Sequence, residues 1–451
     1  MSSFATHTLK TFSIGGIHPP ENKWSAGQKI VTLPIPKQVS IPVIQHIGAP
    51  SKVLVNKGDV VKVGQLLAES SGFVSANVHA SVSGKVSKIE SAFDSSGYKR
   101  ISVIIDVQGD EWLENIDLTD NLISNITLES AEIVKKINEM GIVGLGGATF
   151  PTHVKLSIPE NKKAEYLIIN AVECEPYLTS DHQLMMEKSD QIIVGTRILM
   201  KALKVNKAII GIENNKPDAI ELFSQKLSGP SDIEVVALKV QYPQGGEKQL
   251  IKSVLNREVP SGKLPIDVGC VVQNVGTAFA VYEAIQKNKP LIERVVCVSG
   301  HDLKNPSNFM VRMGTPVETL IEATGGVPEG TNLIINGGPM MGKSISRLDV
   351  PVTKGTSGIL MFKQTVSNHN QYQACIRCAK CVSVCPMGLE PYYLMSLAQK
   401  NRFDEMEGAY PTDCIECGSC SYTCPSHRPL LDFIRLGKSE VNQIIRQRNQ
   451  R

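Results

Sequence analysis

Two runs of four cysteines towards the C-terminus constrain this chain more than any other feature. The first reads Cys375-Ile376-Arg377-Cys378-Ala379-Lys380-Cys381-Val382-Ser383-Val384-Cys385-Pro386, the second Cys414-Ile415-Glu416-Cys417-Gly418-Ser419-Cys420-Ser421-Tyr422-Thr423-Cys424-Pro425. Both follow C-x2-C-x2-C-x3-C-P. Thiolates are soft ligands that suit the tetrahedral iron of a cubane cluster. Gaps of two residues let one tight turn offer three of them to a single cluster, and the fourth lies just past the turn. C-x2-C pairs also hold zinc, and paired cysteines form disulfides. Four in a row before a proline, twice over, points instead to two 4Fe–4S clusters and to the movement of single electrons.

The runs resemble those of bacterial-type two-cluster ferredoxins, in which the fourth cysteine of each run ligates the other cluster. That resemblance implies one cluster on Cys375, Cys378, Cys381 and Cys424 and a second on Cys414, Cys417, Cys420 and Cys385. The remaining cysteines, Cys174, Cys270 and Cys297, are isolated and read as buried or incidental thiols. A formal net charge of +3 gives no reason to expect nucleic acid as a partner. The first residues, Met-Ser-Ser-Phe-Ala-Thr-His, lack a basic stretch followed by an apolar one, so no signal peptide is expected. No apolar run approaches the ~20 residues that span a bilayer. A cytoplasmic chain is expected, meeting a membrane only through partners.

The 451 residues suggest several domains. We expect a multidomain α/β and α+β chain with an irregular lead-in over residues 1–36 and a barrel-sandwich β domain over 37–110. An α/β nucleotide domain follows over 120–290, then a small α+β unit over 292–362, a ferredoxin-like segment over 370–430 and a tail over 431–451. In the β domain, residues 53–61 and 80–86 each read strand, turn, strand. This part resembles biotinyl- and lipoyl-type carrier domains, but Ser75-Ala76-Asn77-Val78-His79-Ala80 has no lysine to modify, so a scaffold is expected. Alternating apolar runs such as 166–172 and 208–212 with helical stretches such as 192–203 predict a mostly parallel sheet. The tail reads as a solvated terminal helix that frays; the alternative is that its basic residues Arg435, Lys438, Arg446, Arg448 and Arg451 meet a partner or acidic lipid.

Four segments of the nucleotide domain stand out. Gly141-Ile142-Val143-Gly144-Leu145-Gly146-Gly147-Ala148-Thr149-Phe150-Pro151 is glycine-rich, which lets backbone N–H groups approach a phosphate. It is neither a P-loop nor a clean Rossmann fingerprint, and an ordinary tight turn is the alternative. Asn170-Ala171-Val172-Glu173-Cys174-Glu175-Pro176 follows a buried strand, where α/β sheets place ligand groups. Gln244-Gly245-Gly246-Glu247-Lys248 is a second glycine turn, and Asn274-Val275-Gly276-Thr277 opens a helix whose N-terminus suits an anion. In this order the segments resemble the flavin-binding 51-kDa-type subunit of respiratory complex I. The matching residues are Gly144, Gly146, Gly147, Ala148, Phe150 and Pro151; Asn170, Ala171, Glu173, Glu175 and Pro176; Gly246 and Glu247; and Asn274, Val275 and Thr277. Leu145 stands where that family has Arg, which removes a positive charge near the cofactor, and Val172 stands where it has Asp.

Arg312-Met313-Gly314-Thr315-Pro316-Val317-Glu318 through Asn336-Gly337-Gly338-Pro339-Met340-Met341-Gly342 resembles the SLBB β-grasp module that follows the flavin domain in that family. With the β domain in front and two cluster runs behind, the order of modules is similar to that of the RnfC family, which belongs to the Rnf ion-translocating electron transport complex. Gly15-Gly16-Ile17-His18-Pro19-Pro20-Glu21 resembles that family's N-terminal motif. The resemblance implies an NADH-oxidising flavin and iron–sulfur oxidoreductase subunit. NADH docks over FMN and delivers hydride, and electrons leave singly through two 4Fe–4S clusters to the other subunits of the membrane-bound Rnf complex. The complex moves Na⁺ or H⁺ and exchanges electrons indirectly with ferredoxin; the subunit itself lies peripherally on the cytoplasmic side of the inner membrane. Glu173 and Glu175 are the candidates near flavin and nicotinamide, with helix-capping carboxylates as the alternative. Lys155 is a candidate phosphate partner, with an ordinary surface lysine as the alternative. Two rival readings share these modules: a soluble corrinoid reductase of microcompartments, and an electron wire whose flavin site is vestigial.

Overall fold

Short alternating strands close the first domain. The computed structural model describes residues 9–229, 231–363 and 372–449. After β1 (Ile30–Thr32) come β2 (Gln38–Pro42), β3 (Lys52–Val53), β4 (Val60–Val61), β5 (Leu66–Glu69), β6 (Val78–His79), β7 (Gly84–Phe93) and β8 (Lys99–Val107). They form two antiparallel sheets, β2-β8-β7-β4 and β3-β5-β6. Val39, Ile41, Val61, Leu67, Val86, Val103 and Ile105 fill the space between. Residues 53–61 do read strand, turn, strand, but β3 and β4 belong to different sheets, so this segment crosses the sandwich and is not a hairpin. The stretch 75–80, which carrier domains expose, is buried here. Asn77 Nδ2 donates to the Glu139 carbonyl at 3.0 Å, which seats the stretch against the next domain.

The lead-in is less irregular than its sequence suggests. β1 pairs in parallel with a strand of the β-grasp unit, and Lys10 and Ile17 bridge to Leu238 and Tyr242. Residues 1–8 of that expectation lie outside the described residues.

The nucleotide domain begins with α1 (Ser130–Glu139) and α2 (Thr152–Leu156). Its sheet holds β9 (Tyr166–Asn170), β10 (Ala208–Glu213), β11 (Ile233–Leu238) and β12 (Cys270–Asn274), all parallel in the order β11-β10-β9-β12. Helices α3 (Ser180–Leu203), α4 (Pro217–Lys226), α5 (Glu247–Leu255) and α6 (Val275–Gln286) connect and flank it. Leu167 and Ile169 face the core shared with α3 and α6, whereas Ile168 and Val272 face the core shared with α5. Burial on both faces explains the continuous apolar runs. At Gly195 a Cβ would stand 1.9 Å from the Ala278 carbonyl oxygen, so α3 and α6 meet at backbone distance there.

The β-grasp unit adds β13 (Glu293–Gly300), β14 (Ser307–Arg312), α7 (Val317–Ala323), β15 (Leu333–Asn336), β16 (Lys343–Ser344) and β17 (Gly358–Phe362), in the order β1-β14-β13-β17-β15-β16. The last domain is helical: α8 (Lys380–Ser383), α9 (Pro391–Gln399), α10 (Phe403–Glu407), α11 (Ser419–Tyr422) and α12 (Leu430–Asn449). Residues 370 and 371 of the expected segment, and 450 and 451 of the tail, lie outside the described residues. The tail does not stand off in solvent. Leu430, Ile434 and Val441 of α12 join Leu394, Leu397 and Met406 in one core. Arg435 and Lys438 pair with Glu416, and Arg448 pairs with Glu407, so these basic groups are engaged within the chain. Among the described residues no helix is long and apolar enough to cross a membrane.

A buried polar knot joins the β domain to the nucleotide domain. Lys354 Nζ donates to the Asn77 carbonyl at 2.8 Å and the Gly141 carbonyl at 2.7 Å. Burial, and then the Lys354 charge, lowers His79 from 6.5 to about 3. The folded pKa is below the unfolded one, so the stability contribution is complete above pH 6.5 and is lost as pH falls towards 3. The loss is about 1.4 kcal/mol per pH unit. A His79→Leu chain should therefore hold its melting temperature better than the parent between about pH 6.5 and pH 4. Equal pH slopes in thermal melts of the two chains would refute this.

Candidate active site and metal centres

The chain runs β9, α3, β10, α4, β11 towards one edge of the sheet, then returns to lay β12 on the other side of β9. The direction of winding reverses between β9 and β12, and open α/β sheets bind ligands in the crevice at such a point, beyond the carboxyl ends of the strands. Asn170 and Asn274 end these strands and are register partners. Asn170 Nδ2 donates to the Gly245 carbonyl at 2.8 Å. Asn274 Oδ1 accepts the Gly276 N–H at 2.8 Å, and its Nδ2 donates to Asp181 at 2.7 Å.

The glycine loop closes over this crevice. Gly144 N–H donates to the Phe150 carbonyl at 2.9 Å, and the Leu145 N–H donates to Thr277 Oγ1 at 3.0 Å. A Cβ on Gly146 would stand 2.5 Å from Asn274 Nδ2, so only glycine fits, and Gly147 and Ala148 leave backbone exposed beside it. This backbone cradle fits a phosphate-bearing cofactor.

Several of the expected site residues have partners within the chain. Gly276 N–H and Thr277 N–H are both taken by the Asn274 side chain, so the start of α6 is capped from within and does not offer those donors to an anion. Lys155 Nζ is held by Glu247 at 2.6 Å and by the Val272 carbonyl at 3.1 Å, so it ties α2 to the start of α5. The Glu173 carboxylate accepts the N–H groups of Asp181 at 2.8 Å and His182 at 3.1 Å, the cap of α3. Glu175 accepts the N–H groups of Met340 and Met341 at 3.0 and 2.9 Å, and burial raises its carboxyl to about 7. Glu173 thus caps α3, and Glu175 clamps the turn at Met340 and Met341.

Other residues carry no signal in the sequence. Arg294, on β13, is buried under the glycine loop. Its guanidinium donates to the carbonyls of Leu145 at 3.2 Å and of Lys354, and Asp181 is its opposite charge. The positive charge that Leu145 lacks therefore reaches this loop from below. Burial, reinforced by Glu173, holds the Asp181 carboxyl well above its usual range.

The two cysteine runs fold alike. Arg377 and Ala379 in the first, and Glu416 and Gly418 in the second, adopt left-handed φ values of 58, 58, 58 and 79°. This curl turns the thiols inward, and α8 and α11 carry the third cysteine of each run. Cys385, Cys414, Cys417 and Cys420 line one cavity. Cys375, Cys378, Cys381 and Cys424 line another. All eight are free thiols. Four thiols around each cavity, three from one run and one from the other, fit the crossed cluster pairing.

The cavities differ in position. Cys385, Cys417 and Cys420 are buried, whereas Cys375 and Cys378 are exposed. The inner cavity abuts the nucleotide domain. Tyr242 Oη donates to the Cys417 carbonyl at 2.8 Å, Gln249 Nε2 donates to the Pro386 carbonyl at 3.2 Å, and a Cβ on Gly246 would stand 3.4 Å from Ile415.

Family models match this geometry piece by piece. A model described as the RnfC barrel sandwich hybrid domain matches residues 10–110 and so takes in the lead-in. The Nuo51 FMN-binding domain matches 137–283, the SLBB domain 295–344 and a 4Fe-4S dicluster domain 374–427. The C subunit of the proton-translocating ferredoxin:NAD(+) oxidoreductase complex of Clostridium ljungdahlii is 48% identical, over 96% of this chain and 94% of that one. The chain belongs to the RnfC family. The counterpart from the Na(+)-translocating complex of Acetobacterium woodii is 44% identical over 95% of this chain and 96% of that one. The counterpart from the ion-translocating oxidoreductase complex of Pasteurella multocida is 39% identical over 95% of this chain and 52% of its own length. All the nucleotide-site segments named above fall within the FMN-binding match, and all eight clustered cysteines within the dicluster match. Membership in this family favours the membrane-complex reading over the corrinoid reductase.

Proposed function

We propose that this chain is the NADH-oxidising subunit of a membrane-bound complex that exchanges electrons between NAD(H) and ferredoxin and couples the exchange to movement of Na⁺ or H⁺. One observation carries the reading: the nucleotide domain abuts the inner four-thiol cavity through Tyr242 and through Gly246, which follows the Gly245 bonded by Asn170 of the crevice, while the outer cavity carries exposed cysteines. When bound, FMN accepts hydride from NADH and releases electrons singly, and 4Fe–4S clusters conduct them. The protein's part is to position and to insulate. The exposed backbone at 146–148 admits a phosphate closely, with Asn170 and Asn274 framing the crevice. Cys385, Cys414, Cys417 and Cys420 hold the first cluster out of water, and Cys375, Cys378, Cys381 and Cys424 hold the second where another subunit reaches it. The chain lies peripherally on the cytoplasmic face, and ion movement belongs to other subunits. The activities named for the relatives support this coupling.

The test is anaerobic reconstitution of the chain with iron, sulfide and FMN, followed by NADH while the visible spectrum is recorded. Bleaching of both flavin and cluster absorbance is expected. Cluster absorbance that dithionite bleaches and NADH does not would make the chain an electron wire and move NADH oxidation to another subunit.

A further inference from the structure

Nothing in the proposed chemistry uses Gly15-Gly16-Ile17-His18-Pro19-Pro20-Glu21, yet the motif touches both centres. Gly16 N–H donates to the Val384 carbonyl at 2.9 Å. Gly15 has φ +72°, and a Cβ there would stand 2.6 Å from the carbonyl carbon of Cys385, a ligand of the inner cavity. Gln241 Nε2 donates to the Gly15 carbonyl at 2.9 Å. Ile17 and Tyr242 exchange two backbone hydrogen bonds of 2.8 Å, and Tyr242 Oη goes on to the Cys417 carbonyl. At the other end, Lys23 Nζ gathers the carbonyls of Glu173, Glu175 and Leu178 at 2.9, 2.8 and 2.7 Å. Residues 15–23 therefore strap the loop after β9 to the backbone on both sides of the inner cavity.

We infer that this strap is the positioning element for electron transfer from the nucleotide crevice to the inner cluster, with Gly15 and Tyr242 fixing the Cys385 and Cys417 backbones. The inference rests on the proposed function for its electron donor. Transfer between centres falls steeply with their separation, and small displacements are costly in such pre-arranged sites. A methyl group at Gly15 would stand 2.6 Å from the Val384 and Cys385 backbone, so the spacing of strap and ligand backbone must change. Tyr242→Phe keeps the ring and removes the hydroxyl's bonds to the Cys417 carbonyl and to Glu175.

The experiment compares Gly15→Ala, Tyr242→Phe and Gly27→Ala in the reconstituted full chain. Gly27 also has a left-handed φ, +75°, but a Cβ there meets nothing within 4 Å, so Gly27→Ala controls for backbone strain. Stopped-flow mixing with NADH should show flavin bleaching unchanged in all three. Cluster bleaching should slow by on the order of tenfold in Gly15→Ala, less in Tyr242→Phe, and not in Gly27→Ala. Independently of NADH, the dithionite-reduced paramagnetic resonance spectrum should change for one cluster only, and amide exchange should quicken at 384–388 and 414–418. If Gly15→Ala does not hold its clusters, Tyr242→Phe decides. Wild-type cluster bleaching, spectra and exchange in both variants would overturn the inference. Absence of flavin bleaching in the wild type would overturn the proposed function instead, and the spectral and exchange measurements would still judge the strap.

Discussion

A Cys385→Ser chain should lose the same iron–sulfur signal as a Cys417→Ser chain, although Cys385 belongs to the other run. The reason is the crossing. Cys385 lines its cavity with Cys414, Cys417 and Cys420, whereas Cys424 of the second run lines the other with Cys375, Cys378 and Cys381. A serine hydroxyl is a harder, weaker ligand for iron than a thiolate. Each substitution is therefore expected to remove or convert one 4Fe–4S centre and leave the other. Paramagnetic resonance of the reduced proteins reads this directly: Cys385→Ser and Cys417→Ser should form one spectral class, and Cys424→Ser and Cys378→Ser the other. Grouping by run, with Cys385→Ser resembling Cys378→Ser, would sink the crossed pairing. The inner class should also lose NADH-driven reduction of the outer cluster, because the inner one stands between that cluster and the nucleotide crevice.

The second large effect is expected at Arg294. Its side chain donates to the carbonyls of Val295, Leu145 and Lys354, and burial lowers its pKa to about 10 against the pull of Asp181. Arg294→Met fills similar volume but removes the donor to three carbonyls and a buried positive charge near Asp181. Each buried carbonyl left without a donor costs about 1–3 kcal/mol, which together lowers a melting temperature by on the order of 10 °C. The Leu145 carbonyl is one of the lost partners, so the glycine loop should loosen and FMN should bind more weakly in a titration. Arg294→Lys should not restore binding, because an ammonium cannot reproduce the planar fork of donors. A melting temperature and FMN affinity unchanged in Arg294→Met would show that the guanidinium supports neither.

What could be read from the sequence, and what could not, follows from distance along the chain. The cysteine runs and the glycine loop are local patterns whose chemistry is written in their spacing. The α12 packing face is present in the sequence as Leu430, Ile434 and Val441, but Asp432, Arg435, Lys438 and Glu440 between them are equally the pattern of a solvated helix. Arg294, Lys354 and Tyr242 carry no local signature. The partner of each lies far along the chain: Leu145 for Arg294, Asn77 for Lys354 and Cys417 for Tyr242. Glu173 and Glu175 show a different limit. Their motif marks a loop, but the N–H groups their carboxylates accept, at Asp181 and His182 and at Met340 and Met341, lie outside it. In the β domain, two-residue strands such as β3 and β4 are too short for alternation to tell a hairpin from a crossing.

The strap has one more consequence, for how the molecule is made. Residues 15–17 and β1 leave the ribosome long before their partners: β1 pairs with Asn308–Met310, Ile17 with Tyr242, and Gly16 with Val384 near the last domain. Several hundred residues separate Gly16 from Val384. At roughly 5–20 residues per second that is a wait on the order of tens of seconds. Until Asn308–Met310 emerge the edge of β1 has no native partner, and until Tyr242 emerges Ile17 has none, a setting in which unpaired strands invite aggregation. Pro19 and Pro20, which follow closely on Ile17, cannot donate ladder hydrogen bonds and so blunt that edge while it waits.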